Sequence, residues 1–395
     1  MLREEIEINT IPVGKLGIIA MKGCEQLASN IDYYLSTWRK NRDSEHKYTI
    51  ALSGYERDSY IIPCDTPRFG SGEAKAVLSG SVRGMDLFII CDVCNSSIEY
   101  KMAGYSNRMS PDDHFQDLKR VIAAAGNKAN RITVIMPFLY EGRQHKRSAR
   151  ESLDCAMGLE ELYAMGVNNI VTFDAHDPRV INAAPLCNFE NIMPSYQFLK
   201  YLCKKEHDIK FDKDHLLMIS PDEGAMDRSV YYASVLGIDM GMFYKRRDYS
   251  TIVNGSNPIV AHEYLGVSPE GKDVIVVDDM ISSGGSMIDT AKELKKRGAR
   301  DVYVFSTFGL FTNGLEKFDK AYEEGLIKRV LTTNGTYQSP ELLSREYYIS
   351  VDISKYTSYL IDALNHNASI SELLVPSTKI KTLIEKYNNK QFDQI

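Results

Sequence analysis

The chain is predicted to be an α/β protein with mainly parallel sheets. Three observations carry the prediction. Short continuous apolar runs recur at 132–139, 169–173, 216–219, 242–244, 274–277 and 302–306. Stretches of helical spacing lie between them, at 151–165, 225–236 and 286–297. Glycines stop two of those stretches, at Gly166 and Gly237. Strands apolar on both faces, separated by helices of about 10–15 residues, mark parallel sheets covered on both sides.

Size and composition set the outer limits. At 395 residues the chain is long enough for two domains, and its net charge of −6 is mild. That balance argues against a dedicated nucleic-acid binder, which presents a strongly basic face. The start, MLREEIEINT, is acidic, and no run reaches the ~18–20 apolar residues of a membrane span. Seven cysteines scattered over the chain read as reduced thiols in a cytoplasmic protein. Cys91-Asp-Val-Cys94 reads as a strand end with two small buried thiols. Residues 1–64 look irregular, with a helix at 24–40. Residues 93–113 and 248–272 read as polar loops, and 376–395 as a polar, helical tail.

The most informative stretch is VIVVDDMISSGGSM, 274–287. In an open parallel sheet, ligands sit beyond the carboxyl ends of the strands. Asp278 and Asp279 fall at such an end, and Ser282, Ser283, Gly284, Gly285 and Ser286 lead into a helix. Glycines let the backbone approach an anion, and the first helical N–H groups point at it. Carboxylates would repel a phosphate but accept from sugar hydroxyls or bind a metal. The stretch therefore suits a phosphorylated ribose. It is not a Walker loop, since GxxxxGK[ST] is absent.

Four further strand exits carry charge. Arg143-Gln144-His145-Lys146-Arg147 can neutralise a polyphosphate. Asp174-Ala175-His176-Asp177 places a histidine between acids, where it can bind a divalent metal. Ser220-Pro221-Asp222-Glu223 opens a helix. Lys245-Arg246-Arg247 enters the polar loop from 248, a candidate lid over phosphates.

Taken in order, these stretches resemble the ribose-phosphate diphosphokinases, the phosphoribosyl pyrophosphate synthetases, over roughly residues 65–374. Phe69-Gly70-Ser71-Gly72-Glu73 is similar to the family's ATP-contacting Phe-x-Asp/Asn-Gly-Glu. Arg143-Gln144 is similar to its ATP-site pair, Asp174-x-His176 and Ser220-Pro221-Asp222 to its metal stretches. Lys245-x-Arg247 resembles the root of its catalytic loop, and Asp278 to Ser286 its ribose 5-phosphate loop. Ser71 stands where the family has Asp or Asn, while His145 and Ser282 stand where Asp is common.

The resemblance implies two tandem phosphoribosyltransferase-like domains, at 1–193 and 194–345, with 346–395 packing on the first. It implies transfer of the diphosphoryl group of ATP to the 1-hydroxyl of ribose 5-phosphate. Lys245 and Arg247 are the expected catalytic residues. Phe69, Gly72, Glu73, Arg143, Gln144 and His145 are expected to bind ATP. Asp278, Asp279, Ser282, Ser283, Gly284, Gly285 and Ser286 are expected to bind ribose 5-phosphate. Mg2+ is the expected cofactor, near His176 and Asp222. A homo-oligomer with its ATP site at a subunit interface is also implied. Two alternatives stay open: a phosphoribosyltransferase, and a catalytically silent regulatory subunit.

Overall fold

The structure is a computed structural model and describes residues 10–44, 54–247 and 259–395. The chain divides into two compact units. One comprises Met1–Met193, Asn334–Tyr337 and Asp352–Val375; the other comprises Pro194–Thr333, Gln338–Val351 and Pro376–Ile395. The class is α/β with mainly parallel sheets, as the apolar runs predict.

The first unit contains, in order, β1 (Lys15–Ala20), α1 (Glu25–Ser44), β2 (Cys64–Asp65), β3 (Val77–Leu78), β4 (Met85–Ile90), β5 (Glu99–Met102), β6 (Tyr105–Arg108), α2 (Pro111–Ala125), β7 (Arg131–Ile135), α3 (Asp154–Ala164), β8 (Asn169–Phe173) and β9 (Asn188–Ile192). Among the described residues its main sheet has the order β1-β4-β7-β8-β9, with every neighbouring pair parallel. The stretch 1–64 is less irregular than expected. It holds β1, whose Leu16, Ile18 and Ile19 are fully buried. Gly17 interrupts the apolar run because a Cβ there would come within 2.7 Å of the Ile62 side chain.

Residues 93–113 are not a loop. β5 and β6 pair antiparallel across Ala103-Gly104. Both turn residues have positive φ, 50° and 86°, which matches the twist of a tight hairpin. Its strands are mostly exposed, so no apolar alternation marks them. Ser110 then starts α2 with a capping box: its hydroxyl accepts from Asp113 N–H at 3.2 Å, and the Asp113 carboxylate accepts from Ser110 N–H at 3.0 Å.

The second unit contains α4 (Ser195–Lys205), β10 (Leu216–Ser220), α5 (Met226–Leu236), β11 (Asp239–Arg247), β12 (Ile259–Gly266), β13 (Asp273–Ile281), α6 (Gly285–Lys296), β14 (Val302–Gly309), α7 (Glu316–Glu323), β15 (Arg329–Thr333), α8 (Pro340–Leu343) and β16 (Tyr348–Val351). Its sheet order is β12-β11-β10-β13-β14-β15-β16. All pairs are parallel except β11–β12. β12 thus occupies part of the expected 248–272 loop, as the antiparallel return of β11.

The VIVV run shows why the sheet needs cover on both faces. Val274 and Val276 join one apolar cluster with Ile288, Ala291 and Leu294 of α6. Ile275 and Val277 join another with Phe198 and Leu202 of α4 and Tyr232 of α5. Alternate side chains of a strand point to opposite faces, and fully burying each such residue contributes about 1.5–3 kcal/mol.

The C-terminal segment divides instead of packing as one piece. α9 (Ser354–Asn365) and α10 (Ser371–Leu374) belong to the first unit; α11 (Ser377–Asn388) belongs to the second. α9 lies on α1, where the Trp38 and Tyr359 rings stack 4.4 Å apart. α11 buries Ile380, Leu383 and Tyr387 against the second unit's core.

Candidate active site

In the second unit the chain runs β10, then β11 on one side, then β13 on the other. Strand order therefore reverses between β10 and β13, and such a switch point opens a crevice at the strands' carboxyl ends. The predicted residues gather there. Ser220 ends β10, and its hydroxyl donates to the Asp222 carbonyl at 2.6 Å. The Asp222 carboxylate accepts from Gly224 N–H at 3.0 Å, which fixes the exit turn.

β13 does not end at its acids, as the sequence pattern implies, but runs two residues past them to Ile281. Asp278 pairs with Ser306 of β14 in the ladder, and the Asp279 N–H donates to the Asp278 carboxylate at 2.9 Å. Asp279 is 3% exposed. Burial pushes the Asp278 carboxyl well above the ordinary carboxylate range; the Asp279 charge adds to this, and Asp222 contributes a smaller push. Two carboxyls this close resist carrying two charges. Such a pair is suited to a cation or to several hydroxyl donors.

The following turn is tied down by the exit of β14. Leu310 N–H donates to the Ile281 carbonyl at 2.9 Å, and Thr312 N–H to the Ser282 carbonyl at 3.0 Å. Gly284 sits at φ 78° as the N-cap of α6. A Cβ there would also come within 2.3 Å of the Phe318 ring, so space and backbone both require glycine. No side chain caps α6. Its first turn, flanked by the exposed Ser283 and Ser286, is thus suited to an anion.

Lys245 and Arg247 lie on the last residues of β11, next to β10, with Lys245 opposite His262 and Arg247 opposite Ile259. The ladder is irregular between Arg246 and Arg247. Of the stretch 248–272 read as a lid, 248–258 lie outside the described residues and 259–266 form β12.

In the first unit two neighbouring strand exits meet. The β7 exit carries Arg143, Gln144 and His145, and Gln144 donates to the Ser152 carbonyl at 2.8 Å. The β8 exit turns at Asp174, whose φ is 41°; its N–H donates to the Ile192 carbonyl at 2.9 Å. The His145 and His176 rings lie 5.5 Å apart, and His145 Nε2 lies 3.1 Å from the Asp177 carboxylate. A hydrogen bond from Arg179 holds Asp177 below the usual carboxylate range against the effect of burial. The approach of Asp177 to His145 was not foreseen; its only signal is an acid beside His176.

Phe69, Gly72 and Glu73 form a separate turn. Phe69 N–H donates to the Glu73 carbonyl at 2.7 Å, and Gly72 packs under Met102 of β5. Phe69 is 54% exposed. Among the described residues, no hydrogen bond or ion pair joins this turn to Arg143, Gln144 or His145. Burial pushes both the Cys91 and Cys94 thiols up; Cys91 is buried, as expected, whereas Cys94 is partly exposed.

The two sheets with their switch point define an α/β protein of the phosphoribosyltransferase-like fold class. Residues 16–166 match the N-terminal domain of ribose phosphate pyrophosphokinase, and 188–345 the phosphoribosyl transferase domain. The ribose-phosphate pyrophosphokinase of Ralstonia nicotianae is 28% identical over 250 residues, covering 62% of this chain and 70% of that protein. That of Vibrio parahaemolyticus is 26% identical over 310 residues, covering 78% and 89%. A crystal structure of phosphoribosylpyrophosphate synthetase from Mycobacterium smegmatis superposes with a TM-score of 0.68 at 20% identity, over 90% of this chain and 100% of that one. The chain belongs to the ribose-phosphate pyrophosphokinase family.

Proposed function

We propose that this chain is a ribose-phosphate diphosphokinase that transfers the diphosphoryl group of ATP to the 1-hydroxyl of ribose 5-phosphate. A bond forms between the sugar oxygen and the β-phosphorus. The bond from that phosphorus to the α-phosphate oxygen breaks, the hydroxyl's proton passes to water, and AMP leaves with the bridging oxygen. The observation that carries the reading is the second unit's crevice, where Asp222 and the Asp278–Asp279 pair adjoin the uncapped start of α6. The match of 16–166 to a pyrophosphokinase N-terminal domain disfavours a lone phosphoribosyltransferase.

The roles follow from charge and position. Asp278 and Asp279 accept from the ribose hydroxyls. Ser282, Ser283, Gly284, Gly285 and Ser286 hold the 5-phosphate. Arg143, Gln144 and His145 attend the ATP phosphates, and Phe69, Gly72 and Glu73 its nucleoside, supplied by a neighbouring copy in a homo-oligomer. Lys245 and Arg247 stabilise charge on the transferring group, since such transfer is mainly positioning and electrostatics.

His176 in the first unit and Asp222 in the second are each assigned as ligands of a divalent cation. Imidazole and carboxylate suit that task. Among the described residues, no three His, Cys, Asp or Glu side chains are gathered to hold a metal. Mg2+ takes few protein ligands beside phosphate oxygens and water. When bound, Mg2+ neutralises phosphate charge. No helix among the described residues is long and apolar enough to cross a membrane; we assign the enzyme to the cytoplasm. The deciding test is AMP release by the purified protein from ATP and ribose 5-phosphate with Mg2+. Formation of AMP only with both substrates is expected; none at all would make the chain a silent subunit.

A further inference from the structure

We propose that the β5–β6 hairpin is a positioning element for ATP: it holds the Phe69–Glu73 turn in the shape that receives the nucleoside, with Met102 and Ala103 as the positioning residues. The proposal rests on the reading of that turn as the nucleoside contact and extends it.

The turn needs outside support. Its apex is Gly70-Ser71-Gly72, and glycines leave a backbone free to take many shapes. Within the turn, Phe69 N–H donates to the Glu73 carbonyl at 2.7 Å and Gly72 N–H to the Phe69 carbonyl at 2.9 Å. The Gly70 carbonyl is held from outside, by Ala103 N–H at the hairpin's tip, 2.8 Å away. Met102 lies on Gly72, where a Cβ would come within 2.6 Å of the methionine sulfur. Tyr100 of β5 meets the residue that enters the turn. The Arg68 guanidinium lies over its ring, 4.7 Å from the centroid, and donates to the buried Asp117 of α2 at 2.9 Å. The hairpin thus touches the turn at Arg68, Gly70 and Gly72.

The hairpin does not build the core. None of residues 99–108 is buried, so the element adds little stability through apolar burial. Its contacts instead restrict a turn whose Phe69 ring stays open to a ligand, at 54% exposed. A turn already held in its binding shape loses less freedom when the ligand arrives, which raises affinity.

The test compares binding of ATP and of inorganic tripolyphosphate to the purified full chain by calorimetry, both with Mg2+. Tripolyphosphate has the phosphate chain without the nucleoside, so the ratio of the two affinities isolates the nucleoside's share. In one variant Asn-Gly replaces Glu99–Arg108. The ends are ready for it, because Met109 N–H donates to the Ile98 carbonyl at 2.8 Å, and Asn-Gly closes a two-residue hairpin. This excision is expected to lower the ratio of ATP to tripolyphosphate affinity at least about fivefold, within what one hydrogen bond contributes, with tripolyphosphate affinity unchanged. Met102→Ala is expected to lower the ratio about threefold through lost packing on Gly72, and Met102→Leu to keep it. An unchanged ratio in the excised chain, or in Met102→Ala should the excised chain not fold, would overturn the proposal. So would an equal loss of affinity for both ligands, or a smaller particle mass by light scattering, which would make the hairpin an assembly contact. Phe69→Ala separates the proposal from the reading beneath it. A lowered ratio there, with an unchanged one in the excised chain, leaves the turn as the nucleoside contact; an unchanged ratio in Phe69→Ala overturns both.

Discussion

Arg39 and Asp362 lie 3.2 Å apart with each side chain 1% exposed, although 323 residues separate them along the chain. Arg39 also donates to Asn365 at 2.7 Å, and Arg42 donates to the other Asp362 oxygen. This buried network joins α1 to α9 within the first unit. Burial disfavours the Asp362 charge, but Arg39 and Arg42 outweigh it and hold the carboxyl below its ordinary range.

Asp362→Ala should therefore leave two buried guanidiniums without their counter-charge. Breaking one partner of such a pair costs about 3–5 kcal/mol. Because the folded pKa is depressed, the contribution of Asp362 is present above the unfolded value near 4 and is lost as pH falls through the folded one. Urea unfolding of wild type and variant at pH 7 and pH 3 checks this. The gap should be wide at pH 7 and narrower at pH 3.

Much of the site was legible because its parts are contiguous. VIVVDDMISSGGSM carries strand, acids and turn in one run, and the switch point only adds Asp222 beside it. The β5–β6 hairpin was not legible, since its exposed strands show no apolar alternation and Ala103-Gly104 is a weak turn signal alone. β12 was missed because His262 and Glu263 split its apolar residues into two short runs, which read as part of the polar stretch around them. The His145–Asp177 contact joins the exits of two strands, and local spacing cannot encode that.

Gly284→Ala should displace the start of α6. The left-handed backbone costs an alanine on the order of 1–3 kcal/mol, and its Cβ would strike the Phe318 ring. Ribose 5-phosphate affinity, measured by calorimetry, should fall at least about tenfold, the equivalent of 1.4 kcal/mol. Adding Phe318→Leu should recover part of the loss, because it relieves the clash but not the backbone. Undiminished affinity in Gly284→Ala would mean that the turn does not contact the phosphate.

Lys245→Ala should lower turnover by about 10²–10³-fold, the usual cost of removing one donor to transition-state charge. Ribose 5-phosphate affinity should stay within a factor of about two, because Lys245 is on β11 and the sugar loop follows β13. Equal losses in turnover and affinity would reassign Lys245 to substrate binding.

The raised pKa of Asp278 predicts an elevated acid limb for ribose 5-phosphate binding. A protonated carboxyl accepts from hydroxyls more weakly than the carboxylate does, so affinity should decline on acidification earlier than for an ordinary aspartate. Burial is the main cause and Asp279 the next. Asp279→Asn removes that charge and should move the limb to lower pH. The position of the limb, not the absolute affinity, is the readout. A limb that stays in place would show that Asp279 does not set the titration.

Asp92 offers a stability test away from the crevice. It follows β4, is 4% exposed, and accepts from Cys94 N–H at 3.0 Å and Tyr337 N–H at 2.8 Å. Burial pushes its carboxyl up to about 7, with those two donors opposing. The folded pKa is thus raised, so the stabilising contribution is full below the unfolded value near 4 and is lost as pH rises through about 7. The loss is at most on the order of 4 kcal/mol, at 1.36 kcal/mol per unit. Asp92→Asn cannot titrate and keeps one acceptor for the backbone donors. Its stability relative to wild type, followed by urea unfolding, should improve steadily from pH 4 to pH 8. A constant difference across that range would show that Asp92 stays ionised, with Cys94 and Tyr337 N–H sufficient to hold the charge.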